Sequence, residues 1–139
     1  MRFHHLAKLF YDWGWSIPVE QYVPFSDYVK EMIKRERVVI IKEGEEILGI
    51  LFFFITDDHN TIYKKSLWAC PKDQEVGREI YVDKLVCKKI TPTLWKKIQA
   101  TFEEAYPDVV YGIYHRSPYD RCVKTKLGVR YELQNTVSR

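Results

Sequence analysis

Two residues have the type and the setting for proton transfer. Asp83 lies inside the apolar run Ile80-Tyr81-Val82-Asp83-Lys84-Leu85-Val86-Cys87, where desolvation raises a carboxyl toward a useful base for an amine nucleophile. His115 follows the run Val109–Tyr114, and an imidazole titrates near neutrality. Each has a plainer role as well: an ion pair with a nearby Lys or Arg for Asp83, capping or packing for His115. Lys88, Lys89, Thr91 and Thr93 cluster where a helix should begin, a place that favours an anion. Arg116 and Arg121 could hold phosphate or an acidic substrate, although Arg121 could equally pair with Asp120 or Glu132. Cys87 has no base beside it in sequence, so it reads as a buried, inert thiol. Tyr119 and Lys124 read as surface residues. His4-His5 lacks a partner at ligand spacing and His59 stands alone, so no metal site is expected.

These residues need elements to position them. Leu6, Leu9, Phe10 and Trp13 form one face of a helix that Gly14 and Pro18 stop. After Val23-Pro24 a second helix is expected, with Ser26 as N-cap and Tyr28, Val29, Met32 and Ile33 on its buried stripe. Val38–Ile41, the turn Glu43-Gly44-Glu45 and Ile47–Ile55 read as a hairpin. Residues 57–78 are polar and turn-rich, an excursion whose Leu67-Trp68-Ala69 cluster can pack back onto the domain. The Ile80–Cys87 strand is apolar on both alternating sets, as a strand covered on both faces should be. Thr91 caps a helix with Pro92 at its first position and Leu94, Trp95, Ile98, Phe102 and Ala105 inside. Val109–Tyr114 is a strand, Tyr119–Leu127 a short helix ended by Gly128, and Val129–Leu133 a last strand. The predicted order is ααββ-βαβαβ: an α/β (mixed α+β) fold with a central mixed sheet flanked by helices.

Composition narrows the class. At 139 residues and 46% hydrophobic, the chain suits one domain with a dense core. No apolar run approaches the roughly 18 residues of a membrane span, and no signal peptide is expected from the N-terminal residues. Three cysteines without CxxC spacing point to a reducing compartment, so a cytoplasmic protein is expected. Residues 1–83 carry 11 Lys/Arg against 14 Asp/Glu, whereas residues 84–139 carry 11 against 5. A basic half suits a phosphate-bearing ligand or a merely solvated lysine-rich face. Nucleic acid is a third reading, supported by no recognised motif. The aromatics are mostly core by spacing, although Trp13, Trp15, Tyr22 and Phe25 could line an acceptor groove.

Two helices, a hairpin and then β-α-β-α-β is the order of the GNAT family of acyl-CoA N-acyltransferases, and short motifs agree. Tyr81–Cys87 is similar to the family's fourth strand, and Lys126-Leu127-Gly128-Val129-Arg130-Tyr131 to the turn that opens its last strand. The resemblance implies acetyl-CoA or another acyl-CoA as cofactor and an amine acceptor, a small molecule or a protein amine. It implies backbone contacts from Leu85, Val86 and Cys87 to the pantetheine arm, in a splay between two parallel strands, with phosphates near Lys88, Lys89, Thr91 and Thr93. Asp83 or His115 would then be the base. The family's glycine-bearing pyrophosphate loop is replaced here by Lys88-Lys89-Ile90-Thr91-Pro92-Thr93, and Lys124 stands where many members have a tyrosine as general acid. Gly77–Asp83 is also similar to a glycine-plus-Asp strand of toxin-activating lysine acyltransferases, without the His those enzymes need near Trp15-Ser16. The alternative is a catalytically silent GNAT-like binding or assembly module with a protein partner, of the pared-down kind that resembles phage-encoded, virion-associated proteins.

Overall fold

Alternation of side chains along a single strand organises the molecule. β2 (Glu46–Thr56) sends Ile50, Phe52 and Phe54 to one face of the sheet and Leu51, Phe53 and Ile55 to the other, all six buried. Burial of each such side chain contributes about 1.5–3 kcal/mol. A strand apolar on both sets must be covered on both faces, and it is. The computed structural model describes residues 3–62, 66–70, 72–116 and 121–127.

The first face is covered by α1 (Phe3–Asp12) and α2 (Tyr22–Lys34). Leu6 and Phe10 from α1 and Phe25, Tyr28, Val29 and Met32 from α2 meet Ile50, Phe52, Phe54 and Val86. Edge-on aromatic contacts tie the layer together, Phe10 to Phe52 at 6.0 Å and Phe25 to Trp68 at 5.0 Å between ring centres. Trp68, from the polar excursion, is buried in this layer, and its indole N–H donates to Gln21 Oε1 at 3.1 Å. The expected packing-back of that segment is therefore present.

The second helix differs in detail from expectation. It starts at Tyr22, four residues before the predicted cap Ser26. Pro24 is tolerated because it falls in the first turn, where its missing N–H has no intrahelical partner to lose. Ile33 is exposed, since the buried stripe passes through Val29 and Met32 instead. The helix ends in a Schellman motif: Arg37 N–H donates to Met32 O and Glu36 N–H to Ile33 O, with Glu36 at φ 59°.

The opposite face is covered by α3 (Pro92–Ala105), capped by Thr91, whose side chain accepts from Leu94 N–H. Leu94, Ile98 and Phe102 pack on Leu51, Phe53, Ile55, Ile80 and Val82. β1 (Val38–Glu43), β2, β3 (Glu79–Cys87), β4 (Tyr111–Arg116) and β5 (Arg121–Lys126) form one five-stranded mixed sheet in that order. Only β3 and β4 run parallel, joined through α3 as expected.

Residues 121–126 correct the predicted Tyr119–Leu127 helix. The i, i+4 pair Val123 and Leu127 suggests a helix, but these residues also satisfy a period of two. Thr125 and Leu127 turn toward α3 while Lys124 lies over Tyr111. The free edge of β4 takes the segment as an antiparallel partner from Tyr111↔Lys126 to Arg116↔Arg121. The order through residue 127 is ααββ-βαββ. The Val129–Leu133 strand, Tyr119 and Asp120, and most of the 126–131 turn motif lie outside the described residues.

Candidate functional site

The parallel ladder between β3 and β4 is short. Glu79, Ile80 and Tyr81 pair with Tyr111, Gly112 and Ile113, and there the pairing ends. β3 runs on to Cys87 and β4 to Arg116. Among the described residues no strand pairs with that edge of β3 beyond Tyr81, so the two strands open a wedge. The backbone of Leu85, Val86 and Cys87, the predicted cofactor edge, lies along it.

A bulge in β3 accompanies the opening. Phe52 stands opposite Lys84 and Phe53 opposite Val82, leaving Asp83 as the extra residue. Val82 and Leu85 then face α3, while Asp83 and Lys84 both turn to the α1/α2 side. There the Tyr28 hydroxyl donates to Asp83 Oδ2 at 2.6 Å, and the Lys84 ammonium donates to the same oxygen at 2.8 Å and to Leu67 O at 2.7 Å. The ammonium also sits 4.3 Å from the Tyr28 ring centre and 4.9 Å from that of Trp68. Side-chain exposure is 5% for Asp83 and 3% for Lys84. Burial, with the adjacent Asp83 charge and its hydrogen bond, pushes the Tyr28 phenol far above its ordinary value, so it stays a donor. Asp83 thus makes the buried ion pair anticipated as its plainer role.

On the α3 side of the wedge lies a half-open cavity of about 140 Å³, walled by Val82, Trp95, Ile98, Phe102, Tyr114 and Leu127. The Trp95 and Tyr114 rings meet at 4.8 Å and 33°. Gln99 and Thr125 supply its polar atoms, and Gly112 completes the lining. Sequence reading missed this cavity, because its walls come from four separate elements. The spacing of Trp95, Ile98 and Phe102 signalled only a buried helical stripe.

At the N-terminal end of α3 a second groove, of about 500 Å³, gathers Lys88, Lys89 and Thr91 with Leu9, Trp13 and Leu94. Three of the four anticipated phosphate contacts are thus brought together, and Thr93 lies outside the lining. Glu45 and Glu46 on the opposite wall compete for the lysines. The helix end itself offers few donors, since Pro92 has no N–H and Thr91 takes that of Leu94. Burial pushes the Cys87 thiol up, away from nucleophilic thiolate.

His115 sits on β4 opposite Cys122, two residues past the last β3–β4 pair. The side chains of His115, Arg116 and Arg121 lie outside the described residues. The aromatic acceptor groove is not assembled: Phe25 is core, Trp15 packs edge-on against Phe10 at 5.7 Å, and Trp13 belongs to the lysine groove.

A polar cluster not anticipated from sequence occupies the other end of β3. The buried Glu79 carboxylate accepts from the His59 backbone N–H and meets His59 Nδ1, both at 2.9 Å, with Lys124 Nζ 3.2 Å from its second oxygen. Burial pushes this carboxyl up, but the bonds from the His59 ring and backbone and from Lys124 outweigh it and hold Glu79 below its ordinary value. Ligand atoms of Asp58, His59 and Glu79 lie within 4.8 Å of one another, a grouping with the donor types of a metal site that the sequence, with His59 standing alone in a loop, did not reveal. Among the described residues no helix is long and apolar enough to cross a membrane. No protein-family model, curated protein or solved structure matches the chain.

Proposed function

We propose that this chain is a GNAT-like, acyl-CoA-dependent N-acyltransferase whose ligand lies in the wedge between β3 and β4. The observation that carries this reading is the parallel ladder that stops after three pairs, at Tyr81 and Ile113. It leaves the backbone of Leu85, Val86 and Cys87 along the wedge, where it could hydrogen-bond an extended, amide-bearing arm. The lysine groove lies at the start of α3 and the apolar cavity along its length. That spacing suits a molecule with phosphates at one end and an acyl group at the other. Lys88 and Lys89 would meet the phosphates as point charges, and the Thr91 hydroxyl could still donate. His115 is the remaining candidate base for the attacking amine, because Asp83 is committed to Tyr28 and Lys84.

The committed Asp83 and the donor-poor helix end favour a second reading, a silent binding module on the same frame. Calorimetric titration with CoA and acetyl-CoA tests the acyltransferase reading first. Wild type should bind, and Lys88→Glu/Lys89→Glu should bind more weakly and with less salt dependence. Absence of CoA binding by wild type sinks the acyltransferase reading. Turnover with a panel of amines then separates enzyme from module: His115→Gln should alter the pH profile of an enzyme.

A further inference from the structure

We infer that the cavity between α3 and strands β3–β5 seats a short apolar acyl group of about four to six carbons, which makes short-chain acyl-CoA the substrate class. The inference rests on the acyl-CoA reading of the wedge. A dry cavity of about 150 Å³ lined by Leu, Ile and Phe accepts a benzene-sized guest, and this half-open one is about 140 Å³ with a mostly apolar lining. Acetyl would leave most of it empty, and a chain of ten carbons would overfill it.

Gly112 supplies an independent indication. It is buried mid-strand on β4, where branched or aromatic residues are favoured and glycine weakens the strand. Its backbone needs no glycine, because its φ is not positive. Nor does crowding require one, since a Cβ there meets nothing nearer than Leu127 Cδ2 at 3.9 Å. No described side chain fills the space that this missing side chain leaves. A glycine that neither the backbone nor the neighbouring atoms demand keeps room for a guest. Gln99 marks the polar side of the cavity: its Nε2 donates to Glu103 Oε1 at 3.2 Å, which leaves Oε1 able to accept an amide N–H. An apolar pocket with one such acceptor fits an acyl group carried on an amide-bearing arm.

The test is calorimetric titration of CoA and of acetyl-, butyryl-, hexanoyl- and decanoyl-CoA against wild type, Gly112→Val and Gly112→Ala. In wild type, affinity should rise about fourfold per added methylene up to hexanoyl and gain nothing further at decanoyl. Gly112→Val should reduce hexanoyl-CoA to the affinity of acetyl-CoA while leaving CoA itself unchanged. Gly112→Ala adds one methyl group at ordinary van der Waals distance from Leu127 and should shift the optimum to a shorter chain, which preserves the test should the valine variant not fold. Equal affinity along the series, continued gain through decanoyl, or a chain-length profile unmoved by either variant overturns the inference and leaves the acyl-CoA reading standing. Failure of CoA and every acyl-CoA to bind overturns both.

Discussion

Asp83 and Lys84 are adjacent in sequence, yet their charged ends meet 2.8 Å apart on one face of β3. In a regular strand consecutive side chains point to opposite faces, so the contact exists only because Asp83 is the bulged residue. The bulge thus does two things: it seats the pair under Tyr28 and Trp68, and it bends β3 near the point where β4 parts from it. Breaking a buried pair by removing one partner typically costs about 3–5 kcal/mol. Asp83→Asn and Lys84→Met should each lower the urea midpoint accordingly, and the double variant should lose less than the sum. A fully stable Asp83→Asn protein with acyl transfer abolished would instead restore Asp83 as the base.

Glu36 occupies the left-handed position that closes α2, at φ 59°. This conformation costs an L-residue with a Cβ roughly 1–2 kcal/mol and costs glycine almost nothing. The site is exposed, so little packing is at stake. Glu36→Gly should raise stability by about 1 kcal/mol with binding unchanged, as read by chemical denaturation. A destabilised variant would show that the Glu36 side chain makes a contact worth more than the backbone strain.

Gly77 illustrates a residue whose meaning differs from its motif. In sequence it opens the stretch Gly77–Asp83 that resembles the toxin-activating acyltransferases. In the structure a Cβ at this position would lie 2.7 Å from Thr56 O and 2.9 Å from Ile55 Cγ2. The glycine lets the returning chain cross the end of β2. Gly77→Ala should cost about 1–3 kcal/mol by overpacking, visible as a lower thermal midpoint, and should leave ligand affinity of the folded protein intact.

The legible parts of the fold were those fixed by local pattern. The Leu94, Ile98 and Phe102 stripe placed α3, Thr91-Pro92 placed its start, and the nine residues from Ile47 to Ile55, eight apolar and one glycine, placed β2. Residues 121–127 were misread because seven residues carry both a helical and an alternating signal, and only the unpaired edge of β4 decides between them. The ion pair was foreseen as a possibility for Asp83, but its partner was not, since adjacent residues share a face only at a bulge. His59 and Glu79 are 20 residues apart, and nothing local links a loop histidine to the first residue of a strand. Lys88, Lys89 and Thr91 do share a groove, but the acids opposite them come from the β1–β2 hairpin, a neighbour that no spacing reveals.

The Glu79 cluster makes a prediction about acid. Because its folded-state value is depressed by the His59 and Lys124 bonds, the unfolded chain binds a proton at Glu79 more readily than the folded one. The resulting stability is fully present above the ordinary carboxylate value and is lost as pH falls through the depressed folded value. Glu79→Gln keeps the shape but cannot ionise. Its stability deficit relative to wild type should therefore be largest near neutral pH and shrink as the solution is acidified into the carboxylate range. Denaturant midpoints of the two proteins, measured from neutral pH down to about pH 3, should converge. Lys124 is about half exposed, with 46% of its side chain accessible, so its share should weaken with added salt, whereas the part-buried His59 backbone bond should weaken less. A deficit that stays constant from neutral to acid would mean that Glu79 acts through packing and hydrogen bonding alone, and that its charge contributes nothing to the fold.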